Sequence, residues 1–261
     1  MKKLEKSGAQ KPRTKEIYWF ESSLEKGKIL CRPNRFIMQV EKGGEIFTCH
    51  CPSTGKIGNI TLEGLPCLLS PSMDATRKTA YTVEAISLDN ANSWMGINQN
   101  AANRYVEHFF RSGLLDGIAT NGHKILREQK IGHSKLDFKI EDTYVEVKTP
   151  LMYMPWLLDG VPLQERAASY FERFMRHLTD LSDALQGHEN AAMLTCFIYD
   201  APVFQIPKPT EKNRIIHDAV RHAIASGVRM WQLNMSIDPY GVSLIKYFDI
   251  TYLFTEEMGL R

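Results

Sequence analysis

Two short runs, Leu136-Asp137-Phe138 and Tyr144-Val145-Glu146-Val147-Lys148, constrain this chain more than any other stretch. Each is apolar with charge at fixed places. Gly132 and Glu141-Asp142 supply turn chemistry around them, which predicts a β-hairpin. In a strand, residues two apart share a face, so Glu146 and Lys148 project together while Val145 and Val147 point the other way. If the register brings Asp137 opposite them, two carboxylates converge beside one lysine. That set suits Mg2+ or Mn2+, hard cations that prefer oxygen ligands and keep positions open for water and a phosphate oxygen. A bound cation would acidify water and polarise phosphorus, while the lysine would orient or deprotonate that water or offset transition-state charge. The same alternation also describes a half-buried antiparallel strand carrying an exposed Glu146–Lys148 ion pair. The rest of the chain has to choose between them.

At 261 residues the chain has room for one large domain or two modest ones. Its 43% hydrophobic and 24% charged residues are those of a globular protein. A net charge of only +2 excludes a uniform polycation, so any nucleic-acid surface must come from local clustering of its 32 Lys and Arg. Residues 1–16 carry Lys2, Lys3, Lys6, Lys11, Arg13 and Lys15 with almost no apolar side chain, which predicts a flexible basic tail and no secretion signal. The longest apolar run, 191–199, is too short to span a bilayer, so no membrane partner is expected. Five cysteines, an odd number, argue against a disulfide framework and fit a reducing cytoplasm.

Along the chain, 28–32, 35–41, 45–49, 66–70 and 81–88 read as short strands, with Gly43-Gly44 as a tight turn. Such a series predicts a small barrel of the five-stranded OB type over 17–90. Asn90, Asn92, Asn98, Asn100 and Asn103 then crowd one segment, which sets the boundary of a second domain over 91–261. Asn103 is placed to cap a helix to about Ser112, with Tyr105, Val106, Phe109 and Phe110 as its buried stripe. A strand at 125–131 precedes the hairpin. Ala167, Tyr170, Phe171, Phe174, Leu178, Leu181 and Leu185 recur at helical spacing, and 191–199 follows as a buried strand parallel to a neighbour. Ile215, Ile216, Ala219, Val220, Ala223 and Ile224 define a helix ended by Gly227, and 228–235 and 242–245 complete the sheet.

From Asn103 the order is helix, three strands, helix, strand. In that order, and in the Asp137 and Glu146-Val147-Lys148 motif, this region resembles the restriction-endonuclease-like, or PD-(D/E)XK, phosphodiesterases. More of the chain resembles the sugar fermentation stimulation protein A (SfsA) family. The matching residues are Arg32-Pro33-Asn34-Arg35-Phe36, His50-Cys51-Pro52-Ser53-Thr54-Gly55, Arg77-Lys78, Tyr81-Thr82-Val83-Glu84, Gly96-Ile97-Asn98, Asn103-Arg104, Ser134-Lys135-Leu136-Asp137-Phe138 and Tyr144-Val145-Glu146-Val147-Lys148. The resemblance implies an OB-like β-barrel followed by a PD-(D/E)XK mixed-sheet domain, an α+β or α/β chain that binds DNA and acts as a nuclease. Carried over by position, Asp137, Glu146 and Lys148 take the catalytic roles, and Glu128 matches a further acidic position that could ligate the metal. Three departures mark a divergent member. Ser53 stands where the family has Asn, Gln164-Glu165-Arg166-Ala167 where it has a Thr-x-Arg-Gly motif, and Ser169-Tyr170 where it has Lys-His.

Arg32, Arg35, Lys56, Arg77 and Lys78, with Tyr81 and Phe36 nearby, could line a basic groove with aromatic platforms. His50 and Arg104, inside the matched motifs, join them as candidate nucleic-acid contacts. The bland alternative is a solvated face with core aromatics. Cys49-His50-Cys51 has the wrong spacing for a zinc knuckle, since the two thiols share one strand face and the imidazole takes the other, so no structural zinc is expected. Cys31, Cys49, Cys51 and Cys67 read instead as buried thiols. Glu107 and His108 read as surface residues, and His177, His188, His217 and His222 as ordinary helix-surface histidines.

Two functions follow. One is a metal-dependent nuclease acting on nucleic acid, DNA before RNA. The alternative is a non-catalytic DNA-binding regulatory protein on a nuclease scaffold, favoured by the altered 164–167 segment.

Overall fold

The computed structural model describes residues 17–53, 55, 57, 58, 60–74, 76–120, 124–132, 134–151, 168–187, 189–204, 211 and 213–257. The basic stretch 1–16, Lys56, His188 and the altered segment 164–167 lie outside the described residues.

After β1 (Ile17–Trp19), five strands make the barrel: β2 (Glu25–Asn34), β3 (Ile37–Lys42), β4 (Glu45–His50), β5 (Pro66–Pro71) and β6 (Tyr81–Ile86). Gly43 and Gly44 both have positive φ (63° and 86°), which lets a two-residue turn join β3 to β4 with Lys42 opposite Glu45. The sheet runs β4-β3-β2-β5-β6, and β4 returns to pair with β6 at Cys49–Tyr81 and His50–Thr82, closing the barrel. Closure leaves no open edge and surrounds a core of Ile29, Met38, Val40, Leu69 and Val83.

The second sheet follows the order β1-β13-β12-β11-β10-β9-β8. Its strands are β8 (Ile125–Ile131), β9 (Ser134–Ile140), β10 (Thr143–Lys148), β11 (Asn190–Phe197), β12 (Arg229–Ile237) and β13 (Gly241–Asp249). β10, β11 and β12 are mutually parallel and the rest pair antiparallel. Parallel neighbours need crossovers, and α2 (Ala168–Gln186) and α3 (Arg214–Ser226) supply them. Gly227, at φ 109°, ends α3 in the left-handed conformation that glycine favours. α1 (Ala102–Arg111) covers one sheet face, where Tyr105, Val106, Phe109 and Phe110 meet Phe138, Val145 and Val147. On the other face Leu178 and Leu181 of α2 meet Leu136 and Met193. A closed OB barrel followed by a curled mixed sheet is the architecture expected from the strand pattern.

Three local assignments differ. β1, grouped with the barrel from sequence, pairs with β13 of the second sheet, because Gly241 lets the Tyr18 backbone approach closer than a Cβ would allow. β7 (Met95–Gly96), beyond the Asn-rich boundary, pairs with β6 of the barrel. A short α4 (Thr251–Glu257), not anticipated, lays Leu253 and Phe254 over the α3 side of the sheet. Among the described residues no helix is long and apolar enough to cross a membrane.

The two halves share side chains. Phe197 and Tyr199, leaving the end of β11, lie in the barrel core, while Leu68 and Ala85 of the barrel lie in the α1 core. Gly96 sits at this seam, its amide donating to the Ile198 carbonyl at 2.8 Å, and a Cβ there would overlap the Ile198 side chain. Gly96→Ala is therefore expected to destabilise the fold by about 1–3 kcal/mol through overpacking, and Ile198→Ala in the same chain to restore part of the loss. Urea unfolding of the single and double variants measures both; additive losses would contradict the shared contact.

Candidate active site

The geometry starts where the β9–β10 ladder ends. Backbone pairing runs from Thr143–Ile140 to Val145–Phe138, so the next opposed pair is Glu146 and Asp137. There the side chains replace the ladder. The Val147 amide donates to Asp137 Oδ2 at 2.8 Å, and the Asp137 amide donates to Glu146 Oε2 at 3.3 Å. β10 stays paired with β11 through Lys148, so β9 is the strand that parts from it. The result is two carboxylates side by side at a break in the sheet.

Helices on both faces fix them. Asn103 of α1 donates through Nδ2 to Asp137 Oδ1 at 2.8 Å. The expected cap role of Asn103 does not hold, because a 3-10 turn at Gln99–Ala101 starts the helix earlier and leaves Asn103 in its first turn, facing the sheet. From the other face, His177 of α2 places Nδ1 in contact with Glu146 Oε1, and 3.0 Å from Lys148 Nζ. Lys148 Nζ also donates to Glu146 Oε1. Glu146 and His177 are buried, whereas the Lys148 side chain keeps 18% of its surface exposed.

The two carboxyls titrate apart. Burial, and then the neighbouring Glu146 charge, raise Asp137 above its ordinary value against the bonds from Val147 and Asn103. Burial pushes Glu146 up as well, but the bond from His177 and the charge of Lys148 outweigh it and hold Glu146 low. Two converging carboxylates, one of them disfavoured as an anion by its neighbour, fit a divalent cation that would relieve the repulsion with oxygen ligands. Asp137 and Glu146 are the residues that could hold it. Among the described residues, no three His, Cys, Asp or Glu side chains form a ready ion-binding group.

Glu128 is not drawn in. Its side chain is 75% exposed and pairs with Lys135 at 3.4 Å, and its positive φ of 51° turns the edge strand there. His177, expected on the helix surface, is buried instead, because the helix-packing stripe of Leu178 and Leu181 carries it inward. His217 is buried too. Glu107 is largely covered, bridging Arg111 at 2.7 Å and Arg127 of β8 at 2.9 Å.

The barrel candidates divide by what they already touch. Arg32 braces a loop, donating from its two Nη atoms to the carbonyls of Ser53 (2.6 Å), Arg35 (3.0 Å) and Gly55 (3.1 Å). Arg35 lies 4.7 Å over the ring of Phe36, which is 44% exposed. Arg77, Lys78 and Arg104 are exposed. Tyr81 packs edge-on against Phe47, and its hydroxyl accepts from Lys42 Nζ at 2.6 Å, so it is a held ring and no free platform. Burial, then Arg77, lower the His50 pKa, so His50 enters as a neutral ring. Of the cysteines only Cys31 is exposed, contrary to expectation; burial pushes Cys49 up to about 11 and Cys67 to about 12, which keeps both as thiols.

Residues given no part in the site by the sequence tie barrel to site. Glu84 is buried, its oxygens accepting from Ser70 Oγ (2.6 Å) and Asn98 Nδ2 (2.7 Å). Ser53 Oγ donates to the Ile97 carbonyl, and Gln99 Nε2 donates to the carbonyl of Thr149, the residue after Lys148. Only the Asn-rich composition of the 98–103 stretch hinted at this.

The charge arrangement predicts a pH signature. A raised Asp137 means that the folded chain holds its proton more tightly, so its contribution favours folding at acid pH and is lost as pH rises through that raised value. Glu146, held low, contributes above the ordinary carboxylate range and loses that contribution as pH falls. In chelator-treated protein, the stability of the parent relative to Asp137→Asn should fall as pH climbs from about 4 to about 7, read by urea unfolding. Glu146→Gln should cost about 1–3 kcal/mol at neutral pH by taking the charged acceptor from Lys148, His177 and the Asp137 amide. A pH-independent difference for the first, or a neutral effect for the second, would contradict the arrangement.

The SfsA N-terminal OB domain model matches residues 30–97, and the sugar fermentation stimulation protein RE domain model matches residues 100–241. The sugar fermentation stimulation protein homolog of a Synechococcus species is 30% identical over 230 residues, covering 86% of this chain and 92% of that protein. The homolog of Teredinibacter turnerae is 30% identical over 233 residues, covering 86% and 96%. Among solved structures, Pyrococcus furiosus SfsA in complex with Ca2+ is similar at a TM-score of 0.64 and 20% identity, covering 89% of this chain and 98% of that one, and shares the fold. Barrel, sheet and matched sequence thus converge, and the chain belongs to the sugar fermentation stimulation protein (SfsA) family.

Proposed function

We propose that the protein binds nucleic acid, DNA before RNA, and hydrolyses its phosphodiester bonds with the help of Mg2+ or Mn2+. The observation that carries this is the meeting of Asp137 and Glu146 at the end of the β9–β10 ladder with the Lys148 ammonium on Glu146. When bound, the divalent ion supplies a Lewis acid that acidifies water and draws charge from the phosphate. Asp137 and Glu146 hold it. Asn103 and the Val147 amide lock the Asp137 rotamer, and His177 restrains Glu146 from α2. Lys148, the more exposed member, is free to turn toward the phosphate and orient the attacking water or offset the charge that develops. The Ca2+ in the structure of P. furiosus SfsA, another hard cation in the same fold, supports the choice of metal.

Substrate is held by the barrel. Exposed Arg77 and Lys78, with the Arg35–Phe36 pair, present charge and a ring to a phosphate backbone, and the contacts from Ser53 through Gln99 to Thr149 keep that face in register with Lys148. Five free cysteines suit the reducing cytoplasm in which we place the activity.

A second reading has one observation behind it. Both Asp137 oxygens accept bonds from the protein, and Glu146 is paired with Lys148 and in contact with His177, as in a site that is complete without metal. It describes a DNA-binding regulatory protein on a nuclease scaffold.

One assay separates them: single-stranded DNA, double-stranded DNA and RNA, each with and without Mn2+, read by gel for both retention and product. Asp137→Asn is expected to lower cleavage by about 100-fold or more with affinity retained. Arg77→Ala with Lys78→Ala is expected to weaken retention and reduce the salt slope by about 2. Equal cleavage by Asp137→Asn and the parent would refute the catalytic reading; salt-sensitive retention with no product under any divalent ion would establish the second.

A further inference from the structure

The geometry points to His177 as an imidazole ligand beside Glu146, so that the ion site selects a divalent first-row transition ion, with Mn2+ as its representative, over Mg2+. The inference rests on the proposed metal site and specifies its chemistry.

It comes from counting donors and acceptors. Nδ1 of His177 touches two groups at once, Glu146 Oε1 and Lys148 Nζ at 3.0 Å, and those two also touch each other. An ammonium only donates and a carboxylate oxygen only accepts, while one imidazole nitrogen is either donor or acceptor. If Nδ1 is protonated it suits Glu146 and faces the ammonium with like polarity. If it carries its lone pair it suits Lys148 and faces the carboxylate. With Lys148 as an ammonium and Glu146 as a carboxylate, neither tautomer of His177 satisfies both contacts. A divalent ion in place of the ammonium does, because the lone pairs of Nδ1 and Oε1 then both face a cation.

The fold is consistent with that exchange. His177 and Glu146 are buried and held on α2 and β10, whereas the partly exposed Lys148 sits on a flexible stem that can withdraw its head to solvent or phosphate. Asp137, whose oxygens accept from Asn103 and Val147 but keep further lone pairs, would share the ion with Glu146 and His177, and a partly hydrated ion fills its remaining positions with water or phosphate. An imidazole nitrogen is a poor ligand for Mg2+, which favours oxygen, and a good one for transition ions.

The test uses the full-length, tag-free protein with Mn2+ alone. Electron spin-echo modulation should show a nitrogen nucleus coupled to the bound Mn2+, and competition should show Mn2+ preferred over Mg2+ by about tenfold or more. His177→Ala should lose the nitrogen coupling and most of that preference while still binding Mn2+ through Glu146, and Glu146→Gln should lose the coupled species as well. The parent spectrum decides even if a variant fails to fold. Bound Mn2+ without nitrogen coupling, or coupling that survives Glu146→Gln, overturns the inference and leaves the nuclease reading standing. Nitrogen-coupled Mn2+ without cleavage of any nucleic acid supports the inference and overturns the nuclease reading. A parent that binds no Mn2+ overturns both.

Discussion

The site depends on where one antiparallel ladder stops. Up to Val145–Phe138 the β9–β10 hairpin satisfies its amides in the usual way. One residue further, the Val147 and Asp137 amides find carboxylate oxygens instead. A buried amide without a partner would cost about 1–3 kcal/mol, so the two acids are structural acceptors before they are anything else. Their position is set by backbone hydrogen bonding, and it brings two negative groups together at a gap between α1 and α2. Asn103, Lys148 and His177 then balance what the gap has created.

The barrel is joined to that gap by buried polar links as well as by apolar packing. Glu84 holds Asn98, Ser53 holds the Ile97 carbonyl, and Gln99 holds Thr149 at the end of β10. Phe197 and Tyr199 continue the same strand of the second sheet into the barrel core. Such links fix the distance between the barrel and the acids at the ladder's end. A flexible linker between the halves would not. Ser53 is part of this joint, its hydroxyl reaching the Ile97 carbonyl and its own carbonyl receiving Arg32.

Period-two patterning made the barrel strands, the hairpin and the 125–131 strand legible, and three-and-four spacing with a terminal Gly227 did the same for α3. β1 and β7 were not legible, because strands of three and two residues carry no pattern and are placed by what Gly241 and Gly96 let approach. At the site, Asp137, Glu146 and Lys148 stood out because they interrupt apolar runs. His177 and Gln99 did not: a polar residue beside a helix stripe looks the same whether it faces solvent or the sheet, and only tertiary packing decides. Arg32 and Tyr81 looked like free contacts for the converse reason, since composition shows a charge or a ring but not the loop carbonyls or the lysine that already occupy it.

In the proposed site the acids at the ladder's end hold a cation and Lys148 withdraws to admit it. The most direct measurement is anomalous diffraction from crystals of the full-length protein soaked in Mn2+. A strong peak is expected in contact with Glu146, between the β9 and β10 strand ends, with the Lys148 ammonium moved off Oε1. Saturating Mn2+ with no peak there, and Lys148 still seated on Glu146, would contradict it.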